Sequence, residues 1–155
     1  MSQKLIYVPY EKYGYGSCDL ILVGEAPGAA EEKQLRPFCG KSGQFLRRAL
    51  EDNLDIGLYS YAMTNVLKVR PEDNRTPTKK EIKSWLPLLK KELQEFMLTD
   101  QHWSVVNIVA VGKVAKKALD LLEVEYYYIH HPAWVMRNRT KMKEWEKQIR
   151  KIGHG

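Results

Sequence analysis

Cysteine is scarce in this chain, with Cys18 and Cys39 its two examples. Neither has a Cys or His neighbour at metal-ligating spacing, so no disulfide framework and no metal site is expected, and both residues read as reduced thiols. Long apolar runs are absent too. Nothing approaches the roughly 20 residues of a membrane-spanning helix, and Met1 to Tyr10 lacks the apolar centre of a secretory signal, so a cytoplasmic location is expected. Internal repeats, low-complexity stretches and linker-like composition shifts are also missing. With 155 residues, enough to bury roughly 70% of the unfolded surface, the chain reads as a single domain over residues 1–155. Acidic residues are in deficit, 19 against 25 Lys and Arg, for a formal charge of +6. The excess suits a polyanion, and composition alone leaves nucleic acid, an anionic membrane surface or no such partner open.

What the chain does have is a concentrated stretch from Leu20 to Leu46, LILVGEAPGAAEEKQLRPFCGKSGQFL. Leu20 to Val23 read as a short buried strand. Gly24-Glu25-Ala26-Pro27-Gly28 then forces a tight turn and leaves a carboxylate beside bare backbone at the strand end. The first nineteen residues, with four tyrosines and no clear period, read as an irregular lead-in. Ser42 to Glu51 fit a helix with Ser42 as N-cap. Tyr59 to Val66 alternate as a second strand, and Thr78-x-x-Glu81 is a capping box before a helical apolar repeat, with Pro87 expected to kink that helix or shift its start. Val105 to Val111 form a third strand ended by Gly112, Lys113 to Leu122 a helix, Val124 to Ile129 a fourth strand, and Thr140 to Ile152 a basic closing helix. The alternation predicts an α/β fold, a three-layer α/β/α sandwich on a four-stranded, mainly parallel sheet. Glu25, Asn65 and His131 then fall at three carboxyl strand ends, where such sheets bind ligands.

Asn65 stands in Thr64-Asn65-Val66-x-Lys68-x-Arg70-Pro71-x-x-Asn74-Arg75-Thr76-Pro77, and His131 in His131-Pro132-Ala133. With Arg36-Pro37-Phe38 and Gly40-Lys41-Ser42-Gly43-Gln44, these blocks resemble the uracil-DNA glycosylase superfamily over roughly Asp19 to Arg139. The resemblance is to its family 4 branch, which carries an iron–sulfur cluster. It implies a monofunctional hydrolase, expected to act as a monomer, that flips uracil out of single- or double-stranded DNA and hydrolyses its N-glycosidic bond, with no membrane partner.

The resemblance makes Glu25, Asn65 and His131 the catalytic set. A carboxylate at Glu25 could orient water and oppose positive charge on the sugar. A carboxamide can accept from uracil N3–H while donating to O4, and cytosine reverses both groups. His131, with His130 as the competitor if register slips, would donate to uracil O2 as negative charge builds on the leaving base. Uracil binding is assigned to Ala26, Phe38, Asn65, His131 and Glu31, with Phe38 stacking beneath the flipped base and Glu31 near uracil C5. DNA contacts fall to Gly40, Lys41, Ser42, Gly43, Lys68, Arg70, Arg75 and Arg137. Val135 is the favoured wedge into the gap left by the flipped base, with Trp134 its rival.

The pattern departs from the family at several positions. Gly28 stands where another branch uses tyrosine to exclude the thymine methyl, and Ala133 replaces a small hydroxyl residue that could touch phosphate. The family's four cluster cysteines are represented by Cys18 alone in the early region, then by Val69 and Trp85 in the later positions; neither of these can act as a thiolate, so no cluster is expected. Two other readings stay open: a glycosylase for a different deaminated or modified base, and a catalytically silent DNA- or protein-binding module on the same fold.

Overall fold

The computed structural model describes residues 5–15, 18–97 and 106–153. Its centre is the strand read first from sequence, β2 (Leu20–Gly24), fully buried along its length. Parallel neighbours flank it on both sides: β3 (Tyr61–Asn65) pairs with Leu20 to Gly24, and β4 (Asn107–Val111) with Leu20 to Val23. Beyond β4 lies β5 (Tyr127–Ile129), also parallel. A fifth strand departs from the sequence expectation: β1 (Glu11–Tyr13) pairs antiparallel with β3, giving the order β1-β3-β2-β4-β5. Three residues are too few to show a period. The strand is held instead by tertiary contacts, the Tyr13 ring stacked on Tyr61 at 4.7 Å and Glu11 paired with Arg36.

Alternation along the strands sends side chains to two separate cores. Leu20, Leu22, Met63, Val109 and Val111 face α2 (Lys41–Leu54) and α6 (Met142–Arg150), whose Leu46, Leu50, Trp145 and Ile149 cover them. Ile21, Val23, Ala62, Ile108 and Ala110 face α3 (Lys79–Met97) and α4 (Lys113–Leu121), through Ile82, Leu89, Leu93, Ala115 and Leu119. The three-layer sandwich is therefore as expected, on a larger sheet. Two short helices complete it, α1 (Ala29–Gln34) after the glycine turn and α5 (Pro132–Arg137) directly after the histidine pair.

Several boundaries move. α2 starts at Lys41 with Gly40 as N-cap, so Ser42 sits inside the first turn and does not cap. The Thr78–Glu81 capping box forms reciprocally, at 3.0 and 3.1 Å, and α3 runs from Lys79 through Pro87 without a later start. Pro87 is exposed, so the carbonyl it leaves without an amide partner faces water. β4 starts at Asn107, so Val106 stands outside the strand it was expected in, and Val105 lies outside the described residues. Among the described residues, no helix is long and apolar enough to cross a membrane.

Candidate active site

The crossovers from β2 to β3 and from β3 to β4 leave in opposite directions, which opens a crevice above the carboxyl ends of the strands. There the loops after β2, β3 and β5 and the start of α4 surround a cleft of about 1390 Å³. Glu25, Ala26, Glu31, Phe38, Ser42, Gly43, Asn65, Arg75, His131, Trp134 and Arg137 line it. Gly40, Lys41, Lys68, Arg70 and Val135 do not.

Asn65 is the last residue of β3, in register with Gly24 at the end of β2. Only 6% exposed, its carboxamide has no hydrogen-bond partner among the described residues. A buried amide left this way costs about 1–3 kcal/mol unless a ligand completes it. Gly24 makes the arrangement possible, because a Cβ there would lie 2.5 Å from both Asn65 Oδ1 and Phe38 Cζ.

Phe38 holds a left-handed backbone, with φ 52°. Two neighbours enforce it. Arg47 donates to the Phe38 carbonyl at 2.7 Å and to that of Pro37 at 3.0 Å, and Gly43 packs so closely that a Cβ would sit 2.3 Å from the Phe38 carbonyl carbon. The strained backbone thus aims the ring at the cleft.

His131 caps α5, its Nδ1 accepting from the Ala133 amide at 3.1 Å. An accepting Nδ1 carries no proton, so the neutral ring holds its proton on Nε2. Burial, reinforced by Arg137, lowers its pKa below the ordinary histidine value and keeps that neutral form. Gly112, at φ 90°, lets the ring approach; a Cβ there would meet His131 Cβ at 3.0 Å. His130 is otherwise engaged, with Gln148 at 3.2 Å, Glu144 at 3.4 Å and its ring against Trp134.

The Glu25 carboxylate has no ion-pair or hydrogen-bond partner among the described residues, and burial raises its carboxyl above the ordinary range. The Glu25 and Asn65 segments are tied together, since Val66 N–H donates to the Gly24 carbonyl at 2.9 Å and Leu67 N–H to that of Glu25 at 3.1 Å.

The expectations for Gly40, Lys68 and Val135 need correction, and Glu31 and Arg70 are found engaged by the protein itself. Glu31, expected near uracil C5, has both carboxylate oxygens occupied by the amides of Gly28, Cys39 and Gly40 at 2.9, 2.9 and 2.6 Å. Partial burial pushes its carboxyl up, but the Gly40, Gly28 and Cys39 amides outweigh this and hold it below the ordinary range. The carboxylate therefore stitches the two halves of the glycine-rich segment together, and the Gly40 amide assigned to phosphate is already used. Lys68, also assigned to phosphate, is 1% exposed and paired with Glu92 at 2.7 Å. Val135, the favoured wedge, is fully buried in the α2–α6 core, whereas its neighbour Trp134 is 36% exposed on the cleft. Arg70 lies off the cleft, bonded to Asn74 at 2.7 Å.

The sequence reading used Gly24 only as a turn residue and gave no site role to Arg47, although both shape the Phe38–Asn65 wall, nor to Lys113, Lys116 and Lys117, which line the cleft from the first turns of α4. Their position directly after a strand ending in Gly112 was the available signal.

The residues present do not fit an iron–sulfur cluster. Cys18 is wholly buried among apolar side chains, with a thiol pushed up by burial, and Trp85 packs against the same core. No group of three or more Cys, His, Asp or Glu among the described residues could hold a metal ion.

Comparison with known proteins agrees with this architecture. The profile of the Uracil DNA glycosylase superfamily matches residues 11–151. The chain is similar to the Type-4 uracil-DNA glycosylase of Pyrobaculum aerophilum, 32% identical over 153 residues that cover 84% of this chain and 74% of the relative. It is likewise 30% identical to that of Archaeoglobus fulgidus, over 97% of this chain and 82% of the relative. The Sulfurisphaera tokodaii enzyme is also 30% identical, over 90% and 70%. The profile match runs from β1 through α6, across every strand that carries the cleft, and the chain belongs to the uracil-DNA glycosylase superfamily.

Proposed function

We propose that this chain is a uracil-DNA glycosylase that holds a flipped uracil in the cleft and hydrolyses the N-glycosidic bond, leaving an abasic site and free base. The single observation that carries the reading is the buried Asn65 carboxamide, which lines the cleft with no partner among the described residues. Its oxygen suits uracil N3–H and its NH₂ suits O4, whereas cytosine opposes both.

The other groups supply the chemistry. Bond cleavage leaves negative charge on uracil and positive charge on the sugar. His131, neutral with its proton on Nε2, donates to O2 where the negative charge grows. Glu25 orients water toward C1′, accepts its proton and opposes the sugar's charge; a raised pKa makes it a better base near neutrality. Phe38 stacks on the base, Ala26 borders it, and Glu31 holds the loop that carries both. No step uses a metal.

DNA is the partner, held by amides at the start of α2 and by Ser42, Arg75 and Arg137, with Trp134 as the wedge. We take the chain to act as a monomer and a single domain, in the cytoplasm and without a membrane partner, on single-stranded or duplex DNA. Incubation with single-stranded and duplex uracil oligonucleotides, followed by alkali, tests the activity. Strand cleavage strongly slowed, with a residual rate still measurable, in Asn65→Ala and His131→Ala is expected. Salt-sensitive DNA binding without base release would overturn the reading in favour of a silent module, and release of a different base would reassign the substrate.

A further inference from the structure

Beneath the Asn65 wall lies a polar cluster that the proposed chemistry does not use. Lys68 Nζ donates to Glu92 Oε1 at 2.7 Å, to Thr64 Oγ1 at 2.5 Å and to the backbone carbonyl of Asn65. Thr64 Oγ1 in turn donates to Glu92 Oε1 at 2.8 Å. An ammonium has three protons, and all three are placed. Thr64 and Lys68 are each 1% exposed and Glu92 is 3% exposed, so the cluster is closed to solvent and to DNA.

Stability by itself does not call for this arrangement, because a buried ion pair is often replaced by apolar residues at no loss. What apolar residues cannot supply is a donor for the Asn65 carbonyl. At this strand end the two following amides, Val66 and Leu67, turn toward Gly24 and Glu25, while the Asn65 carbonyl turns the other way, to Lys68. Glu92 reaches up from α3, 24 residues away in sequence, and fixes the ammonium against the opposite helical layer. The peptide that carries the base-reading side chain is therefore gripped from both sides.

We propose that Lys68, Glu92 and Thr64 are positioning residues that aim the Asn65 carboxamide at the base, so that a buried charge cluster sets how well the cleft reads uracil. The proposal rests on the glycosylase reading. Wild-type uracil release is the control that separates the two: if it is absent, that reading fails and not this one.

The test compares wild type, Lys68→Met/Glu92→Leu, Asn65→Ala and the combination of all three. Replacing both charges together leaves no orphan ion. Thermal unfolding, kcat, KM and the inhibition constant of free uracil are measured; the last does not depend on the fraction of enzyme folded. For the charge-pair variant, cooperative unfolding is expected, with kcat down by about tenfold or more and uracil inhibition weakened by a similar factor, as for an active-site group misplaced by a fraction of an ångström. On the Asn65→Ala background the same pair should change neither quantity. An unchanged uracil inhibition constant overturns the proposal, as does an equal loss on both backgrounds. If the pair variant does not fold, Thr64→Val carries the same readouts, with a severalfold loss expected and no change refuting the proposal.

Discussion

Gly24→Ala is a one-methyl change whose effect can be worked out from the cleft wall. The added Cβ would lie 2.5 Å from Asn65 Oδ1 and 2.5 Å from Phe38 Cζ, against ordinary contacts of roughly 3.5 Å, so one or both groups must move by about 1 Å. Phe38 is the less free of the two. Its left-handed backbone is held by Arg47 at 2.7 Å and backed by Gly43. Asn65 Oδ1 must then swing, and a shift of about 1 Å in a positioning group costs on the order of 10²-fold in rate. The overpacking itself should lower stability by about 1–3 kcal/mol, which leaves a folded enzyme. Single-turnover release of uracil from an oligonucleotide, measured beside thermal unfolding and free-uracil inhibition, reads both effects. Gly57→Ala is the control, since its nearest atom would be 3.7 Å away. Wild-type kcat/KM and uracil inhibition in Gly24→Ala would refute the reasoning that this glycine makes room for the base-reading wall.

Glu25→Gln is expected to unfold at a higher temperature than wild type at pH 7 while releasing uracil about 10²-fold more slowly. The native state raises the Glu25 pKa, so this group favours folding most in acid and loses that contribution as pH rises through the unfolded and then the folded value; lower thermal stability of the Gln variant at pH 7 would contradict this. His131 has the opposite sign. Its lowered pKa makes its contribution to stability complete above the unfolded value, near 6.5, and progressively lost below it, so His131 should add no break to the excision profile as pH falls to about 6.5. A break in the pH–rate profile above that point that disappears in His131→Gln would refute the neutral, Nε2-protonated ring. Trp134→Ala should weaken excision from duplex DNA more than from single strands, because only the duplex needs its gap filled. Val135→Ala should instead cost about 2 kcal/mol of stability in denaturant unfolding with little change in kcat; the reverse pattern would restore Val135 as the wedge.

The adjacency of Trp134 and Val135 shows where sequence reasoning stops. On α5 consecutive residues point about 100° apart, so one of the pair faces the core and the other the cleft. Six residues hold too little periodicity to say which, and the docking of α5 against α2 decides it. Lys68 is the same lesson in charge: a lysine in a basic chain reads as a phosphate contact, and its counterion Glu92 lies on a helix in the opposite layer. Glu31 reads as an acid beside the base, yet the turn folds its backbone amides onto it.

The residues by themselves determined the alternation of strands and helices, the central place of Leu20 to Val23, and the convergence of Glu25, Asn65 and His131 on one end of the sheet. These follow from local periodicity, glycine turns and the parallel pairing that periodicity implies. Tertiary structure alone decided the extra edge strand, the tautomer of His131, and which charged groups are free to meet DNA. Each depends on partners far apart in the chain, and a hydrogen bond or a buried ion pair is set by distance and direction, which residue type does not carry.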